Sequence, residues 1–156
     1  MKKITLALLL LISVGFVQAQ NNAINTYFSN YAEDEAFSKI TITGKMFEMM
    51  NHIEVENQEE EDLKEALSKI EGIGILINEK MSNSKAVYKQ AIGKVGNRFE
   101  TLMTVQDDDA DVEFMIDENN GIIDELLIIV GSDSSFVIVD IWGEIDLSTI
   151  RTLTEK

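Results

Sequence analysis

The densest strand-like pattern of apolar positions falls in residues 126–145, LLIIVGSDSSFVIVDIWGEI. Leu126 to Val130 is an apolar run rich in β-branched residues, Gly131-Ser132-Asp133-Ser134 interrupts it, and Phe136 to Ile141 resumes it. Pleat-filling side chains on both sides of turn-tolerant residues specify a β-hairpin. Upstream, Phe99, Thr101, Met103 and Val105 alternate with Glu100, Leu102 and Thr104, and Val112, Phe114 and Ile116 alternate with Glu113 and Met115. A period of two predicts two further strands. Asn120-Gly121 follows the second of these and precedes the apolar residues 122–130. It is the strongest short hairpin signal in the chain, because both residue types accept the positive φ of a type I′ turn.

The first half of the chain carries a helical period instead. Ile24, Tyr27, Phe28 and Tyr31 are spaced i, i+3, i+4, i+7, and so are Met46, Met49, Met50 and Ile53. Each set marks one face of a helix, the second over residues 45–53. The aromatic stripe reads as core, and the methionines read as core gap-fillers rather than the lining of an adaptable groove. Between them, residues 38–43 alternate and stop at Gly44, a short strand. The acid-rich residues 54–62 read as a solvated loop entering a helix marked by Leu63, Ala66, Leu67 and Ile70, with the acids at the positive end of its dipole. Residues 72–77 form a buried-type strand. Ser82 and Ser84 offer caps for a helix bearing Val87, Tyr88, Ala91, Ile92 and Val95, closed at Gly96-Asn97 by a left-handed cap. Residues 146–155 predict a terminal helix with Leu147, Ile150 and Leu153 inward. The fold class is therefore α+β: an antiparallel sheet with a C-terminal four-strand meander, packed against amphipathic helices, in a single domain over residues 20–156.

Register leaves two possibilities at the last turn. The two-residue Asn120-Gly121 loop pairs Met115 with Leu126 and Glu113 with Ile128. A four-residue loop in the next hairpin pairs Leu127 with Ile138 and Leu126 with Val139, and sets Glu125 opposite Asp140. That like-charge pairing costs on the order of 0.2–1 kcal/mol. A five-residue loop avoids it and swaps the faces of the last strand. In both registers the strands are apolar on both sides, whereas a sheet with one wet face alternates more cleanly. Either both faces are covered, or part of an apolar face that includes Phe136, Ile138 and Trp142 stays open as a partner surface.

Composition narrows the setting. Lys2 and Lys3 precede an apolar run from Ile4 to Val17, and Val17-Gln18-Ala19 ends it with a small residue. Residues 1–19 thus read as a secretory signal peptide cleaved after Ala19, and the run is shorter than the roughly 20 residues a membrane span requires. No later segment is long and apolar enough to span, so no transmembrane segment is expected in the mature chain. A periplasmic or secreted location follows. The chain has no cysteine, which rules out disulfides and an acylated-cysteine anchor and leaves the core alone to hold the fold. With 28 acidic and 13 basic residues the net charge is −15. Such a surface repels phosphate backbones and anionic lipids, which argues against nucleic-acid binding and suits solubility.

No reactive constellation emerges. His52 is the single histidine, so a zinc site would have to be built from carboxylates. A Gly-x-Ser-x-Gly elbow and a Walker loop are both absent. Gly72 and Gly74 precede an apolar run rather than follow it, and lack the third glycine of a dinucleotide loop. Asp107-Asp108-Asp109-Ala110-Asp111 and Asp117-Glu118-Asn119-Asn120-Gly121 both miss the spaced calcium-loop pattern and read as polar turns, so calcium is not expected. No catalytic, cofactor or metal residue can be singled out.

Five segments, taken in series, resemble a known family. They are Tyr27-Phe28-Ser29-Asn30-Tyr31, Ile40-Thr41-Ile42-Thr43-Gly44-Lys45-Met46-Phe47, Phe99-Glu100-Thr101-Leu102-Met103, Asp124-Glu125-Leu126-Leu127, and Val139-Asp140-Ile141-Trp142-Gly143-Glu144-Ile145-Asp146-Leu147. Their order and spacing resemble the small exported proteins of Bacteroidota grouped as domain-of-unknown-function family 4252. The resemblance implies an export signal, often one with a lipidation cysteine. This chain departs there, which implies a soluble form. The resemblance supplies no catalytic residues. The expectation is an exported, non-catalytic protein that contacts an envelope protein or itself. A small carboxylate-dependent hydrolase and a self-associating structural protein are the alternatives.

Overall fold

The computed structural model describes residues 22–50, 52 and 54–146. The signal peptide expected over residues 1–19 and the terminal helix expected over residues 146–155 lie outside these, apart from Asp146, which ends a strand. In chain order the elements are α1 (Ala23–Tyr27), α2 (Ser29–Ala32), β1 (Ser38–Thr43), α3 (Gly44–Met50), α4 (Gln58–Ser68) and β2 (Ile70–Asn78). Then come α5 (Ser84–Val95), β3 (Glu100–Gln106), β4 (Ala110–Asn119), β5 (Ile122–Ser132) and β6 (Phe136–Asp146). The strands form one antiparallel sheet in the order β1-β2-β6-β5-β4-β3. The α+β class and the four-strand meander β3–β6 are both present. Among the described residues no helix is long and apolar enough to cross a membrane.

The topology follows from one long connection. β2 pairs with β6, so the chain must travel from β2 past three strands before starting β3 at the far edge. Four ladder steps amount to about 19 Å at 4.7–4.9 Å each. α5 does not run straight across this distance: it starts at the β5–β6 turn, where Ser84 Oγ donates to the Ser132 carbonyl, and ends just before Arg98, which reaches Glu125 and Asp117, so it lies along β5 and the segments flanking it complete the crossing. Its Val87, Tyr88, Ala91 and Val95 join Leu76, Met115, Leu127, Ile129, Phe136 and Ile138 in one core. Ile24 and Phe28 add to it, and Tyr31 stacks on Phe37 at 5.1 Å and meets the edge of Phe136 at 5.8 Å.

Several local expectations shift. Ile70 opens β2 rather than closing α4, and Asn83, not a serine, occupies the cap position of α5. Gly96 ends α5 with φ −60°, a right-handed rather than a left-handed cap. Met46 and Met49 are exposed instead of filling the core. The Asn120-Gly121 turn forms with φ 54° and 87°, a type I′ pair. Its ladder carries a bulge, however: Asp117 pairs Glu125 and Glu118 pairs Ile123, leaving Asp124 without an opposite residue. Pairings beyond it therefore move by one, to Met115 with Leu127 and Glu113 with Ile129. At the last turn the loop runs from Ser132 to Ser135, one residue later than the four-residue alternative, and Leu127 faces Asp140 while Glu125 faces Trp142.

Candidate functional site

The two faces of the sheet differ sharply. On the helix-covered face β6 presents Phe136, Ile138, Asp140 and Trp142, and β5 presents Glu125, Leu127, Ile129 and Gly131; all are buried. Phe136 and Ile138 are 0% exposed and Trp142 is 8% exposed. These three residues, expected as a partner surface, are core residues instead. The reason is phase: the strand alternates, and α1, α2 and α5 settle on the face that carries them.

Gly72 and Gly74 belong to the same packing. A Cβ at Gly72 would come within 2.2 Å of Trp142 Cζ2, and one at Gly74 within 3.6 Å of Cζ3 and 2.9 Å of Ile24 Cδ1. The glycine pair is thus the bed on which the indole ring lies, not a phosphate loop.

Three acids share this covered face. The N–H groups of Ala23 and Ile24, at the start of α1, donate to Glu125 Oε1 and, at 2.9 Å, to Asp140 Oδ2. Arg98 donates through Nη2 to the other oxygen of Glu125 and through Nε to Asp117 at 2.7 Å. Burial, reinforced by the neighbouring Glu125 carboxylate, pushes Asp140 up to about 8. The third acid, Glu113, accepts from Tyr88 Oη at 3.2 Å, Thr101 Oγ1 at 2.7 Å and Thr104 Oγ1 at 3.0 Å. Burial, then Glu113, pushes the Tyr88 hydroxyl up to about 12. Two threonines three apart cannot share a face in a regular strand. A bulge at Leu102, where Thr101 pairs Met115 but Met103 pairs Phe114, brings them together and overturns the strict alternation expected of this strand.

The sequence held a signal for these acids that its apolar reading passed over. Glu125, Asp140 and Glu113 are in phase with the buried positions of their strands, whereas Asp124 and Glu144 are out of phase and exposed. In β4 the apolar-looking set Val112, Phe114 and Ile116 faces away from the helices, and Glu113 and Met115 face them.

The opposite face is built from three rows of residues in register across all six strands. The middle row is Ile40, Ile75, Val139, Ile128, Phe114 and Met103. One side row is Ser38, Ile77, Val137, Val130, Val112 and Val105, and the other is Ile42, Ile73, Ile141, Leu126, Ile116 and Glu100. On the four inner strands every position in these rows is apolar. Ile116, at 9%, is the most enclosed; the other inner positions are only half-buried, and Ile40, Met103 and Val105 at the edges are exposed. Leu76, Leu127, Ile129 and Ile138, on the other side of the same strands, are fully buried. Among the described residues the inner positions of the three rows, Ile116 apart, stay half-exposed, whereas α1, α2 and α5 seal the other face.

The remaining candidates resolve into local structure. Asp107 Oδ1 accepts the N–H groups of Asp109 and Ala110, at 2.9 and 2.7 Å, which tightens the β3–β4 turn and holds this carboxyl below its usual range. Glu118 accepts from the N–H of Gly121 within the I′ turn. His52 is exposed. Met50, Val55, Leu63 and Leu67 line a shallow groove of about 190 Å³ between α3 and α4.

A helix-backed antiparallel sheet whose second face is apolar and half-exposed among the described residues defines the class: a small α+β domain. The chain matches the family described as Domain of unknown function (DUF4252) over residues 31–153, and it belongs to that family. No match was found among curated proteins or among solved structures.

Proposed function

We propose that this protein is an exported, non-catalytic interaction module of the cell envelope, and that its contact surface is the open face of the sheet. The observation carrying this reading is the set of three in-register apolar rows. Contiguous exposed apolar area beyond a few hundred Å² marks binding surfaces on soluble proteins. Export rests on the basic start, apolar run and Val17-Gln18-Ala19 ending of residues 1–19. Periplasmic protein should therefore begin at Gln20.

The test is site-specific photo-crosslinking in the producing cell. A photoreactive side chain at Ile128 or Val139 should yield covalent adducts, and one at the exposed Lys89 on α5 should not. Absence of adducts from both face positions would overturn the reading.

A small carboxylate-dependent hydrolase is the competing reading, and the Glu125–Asp140 pair is what favours it. A carboxyl pushed toward neutral pH beside a second carboxylate is a common acid–base arrangement. Against it, Asp140 is 0% and Glu125 2% exposed, and their oxygens receive the α1 N–H groups and Arg98. The pair works as an anchor for α1.

A further inference from the structure

We propose that the occupant of the open face is a second copy of the chain, packed sheet against sheet. This rests on the reading that the face is a contact surface, and it adds the identity of what covers it.

Shape is the first argument. Six strands at about 4.8 Å spacing by three rows at about 6.7 Å make a rectangle of roughly 29 by 20 Å, about 580 Å² in projection. Accessible area exceeds projection on a surface ridged by side chains, so the face approaches the roughly 800 Å² per partner of a stable interface. A single helix, about 10–12 Å across with its side chains, would leave more than half of the longer dimension wet if it lay along the strands, and about 8–10 Å of the shorter one if it lay across them. Another sheet fits both dimensions and stacks at about 10 Å, and a second copy presents one of the same size.

Composition is the second argument. Of the three rows, only the corner positions Ser38 and Glu100 are polar. A two-fold pairing therefore buries no charge from the inner strands, although each chain carries a net −15. Apart from Glu100 at one corner, no acid stands in the three rows. Mutual repulsion of the acids opposes pairing at low salt and is screened within about 10 Å at 0.1 M ionic strength. Pairing of copies must strengthen with salt, whereas docking of a basic partner on this acidic protein would weaken.

The experiment is sedimentation equilibrium of the protein as processed by the cell, at 10–100 µM, in 50 and 500 mM NaCl. The expected result is twice the mass of one chain, with a dissociation constant several-fold lower at the higher salt. Val130→Thr, Val137→Thr and Val139→Thr together keep the β-branched shape and add hydroxyls to the face; they should weaken pairing at least tenfold with an unchanged circular dichroism spectrum. The salt series on the unmodified chain needs no variant to fold, and Ile128→Thr alone serves if the triple variant does not. A single-chain mass at 100 µM in 500 mM NaCl overturns the proposal, as does pairing that weakens with salt or ignores the threonines. If that single chain still crosslinks to a different protein from Ile128, the contact-surface reading survives and only the identity of the occupant fails. If it crosslinks to nothing, both fail.

Discussion

Glu125 and Asp140 lie diagonally across the β5–β6 ladder, Glu125 opposite Trp142 and Asp140 opposite Leu127, and both receive N–H groups from the first turn of α1. Two acids on one buried face would repel each other if both were ionised. Arg98 neutralises one, and burial keeps the other protonated. The apparent conflict of like charges is thereby turned into an attachment point for the N-terminal helix.

A pH dependence follows. The carboxyl of Asp140 is held near 8 in the folded chain, against 3.8 when exposed. Because the folded value is the higher one, folding favours the protonated form. Its contribution is complete below about pH 4 and is lost as pH rises toward 8. Asp140→Asn, which cannot ionise, should therefore be more stable than the unmodified chain at pH 9 by on the order of 1–3 kcal/mol, with the gap narrowing toward pH 5. Urea denaturation of both proteins at the two pH values measures it. A constant gap would mean that Asp140 is not the group responsible.

Arg98 gives a second prediction. It bridges Glu125 and Asp117, and its removal leaves a buried carboxylate without its cation. Arg98→Met should destabilise by roughly 3–5 kcal/mol, the usual cost of breaking a buried pair from one side. Adding Glu125→Gln should recover part of that loss, because an amide no longer needs the cation. The double-mutant cycle, read from chemical denaturation, should show coupling above about 1 kcal/mol.

How much of this could be read in advance depends on what each signal measures. Alternation located the strands and the Asn120-Gly121 turn, because both depend on local residue types. It could not tell which apolar side of β5 and β6 the helices would take, since Phe136-Ile138 and Val137-Val139 are equally suited to a core. The bulges at Asp124 and Leu102 decide register and face, and neither has a glycine or proline to announce it. The open face was legible as two-sided apolarity. Its identity was settled by tertiary packing, with Gly72, Gly74 and Gly131 making room for Trp142, Ile24 and Tyr88 on the covered side.

That packing yields a third prediction. The Cβ added by Gly72→Ala would press directly into the indole ring of Trp142, which is held by its own burial. Overpacking of this kind costs about 1–3 kcal/mol. Trp142 is the only tryptophan, so its fluorescence reports the site without interference. The variant should unfold at lower urea with a red-shifted folded-state emission. An unshifted spectrum and midpoint would show that the ring moves aside freely.

The fourth prediction concerns the exposed edge. β3 has one unpaired side, and the extra residue Leu102 bulges it between Thr101 and Met103. Bulges twist an edge out of the flat form that other strands can join. Deleting Leu102 would restore regular pairing, because Thr101 would still face Met115 and Met103 would still face Phe114. Thr101 and Thr104 would then stand two positions apart, with only Met103 between them, on one face of a regular strand, and both hydroxyls would keep their bonds to Glu113. The deletion should leave thermal stability within about 1 kcal/mol of the original, since Leu102 is exposed and buries little apolar area. It should nevertheless accelerate aggregation, seen as an earlier rise in light scattering at constant temperature. A deletion that unfolds the chain would mean that the bulge sets the position of β3, whereas a stable variant with unchanged scattering would mean that the edge is protected by something other than its twist.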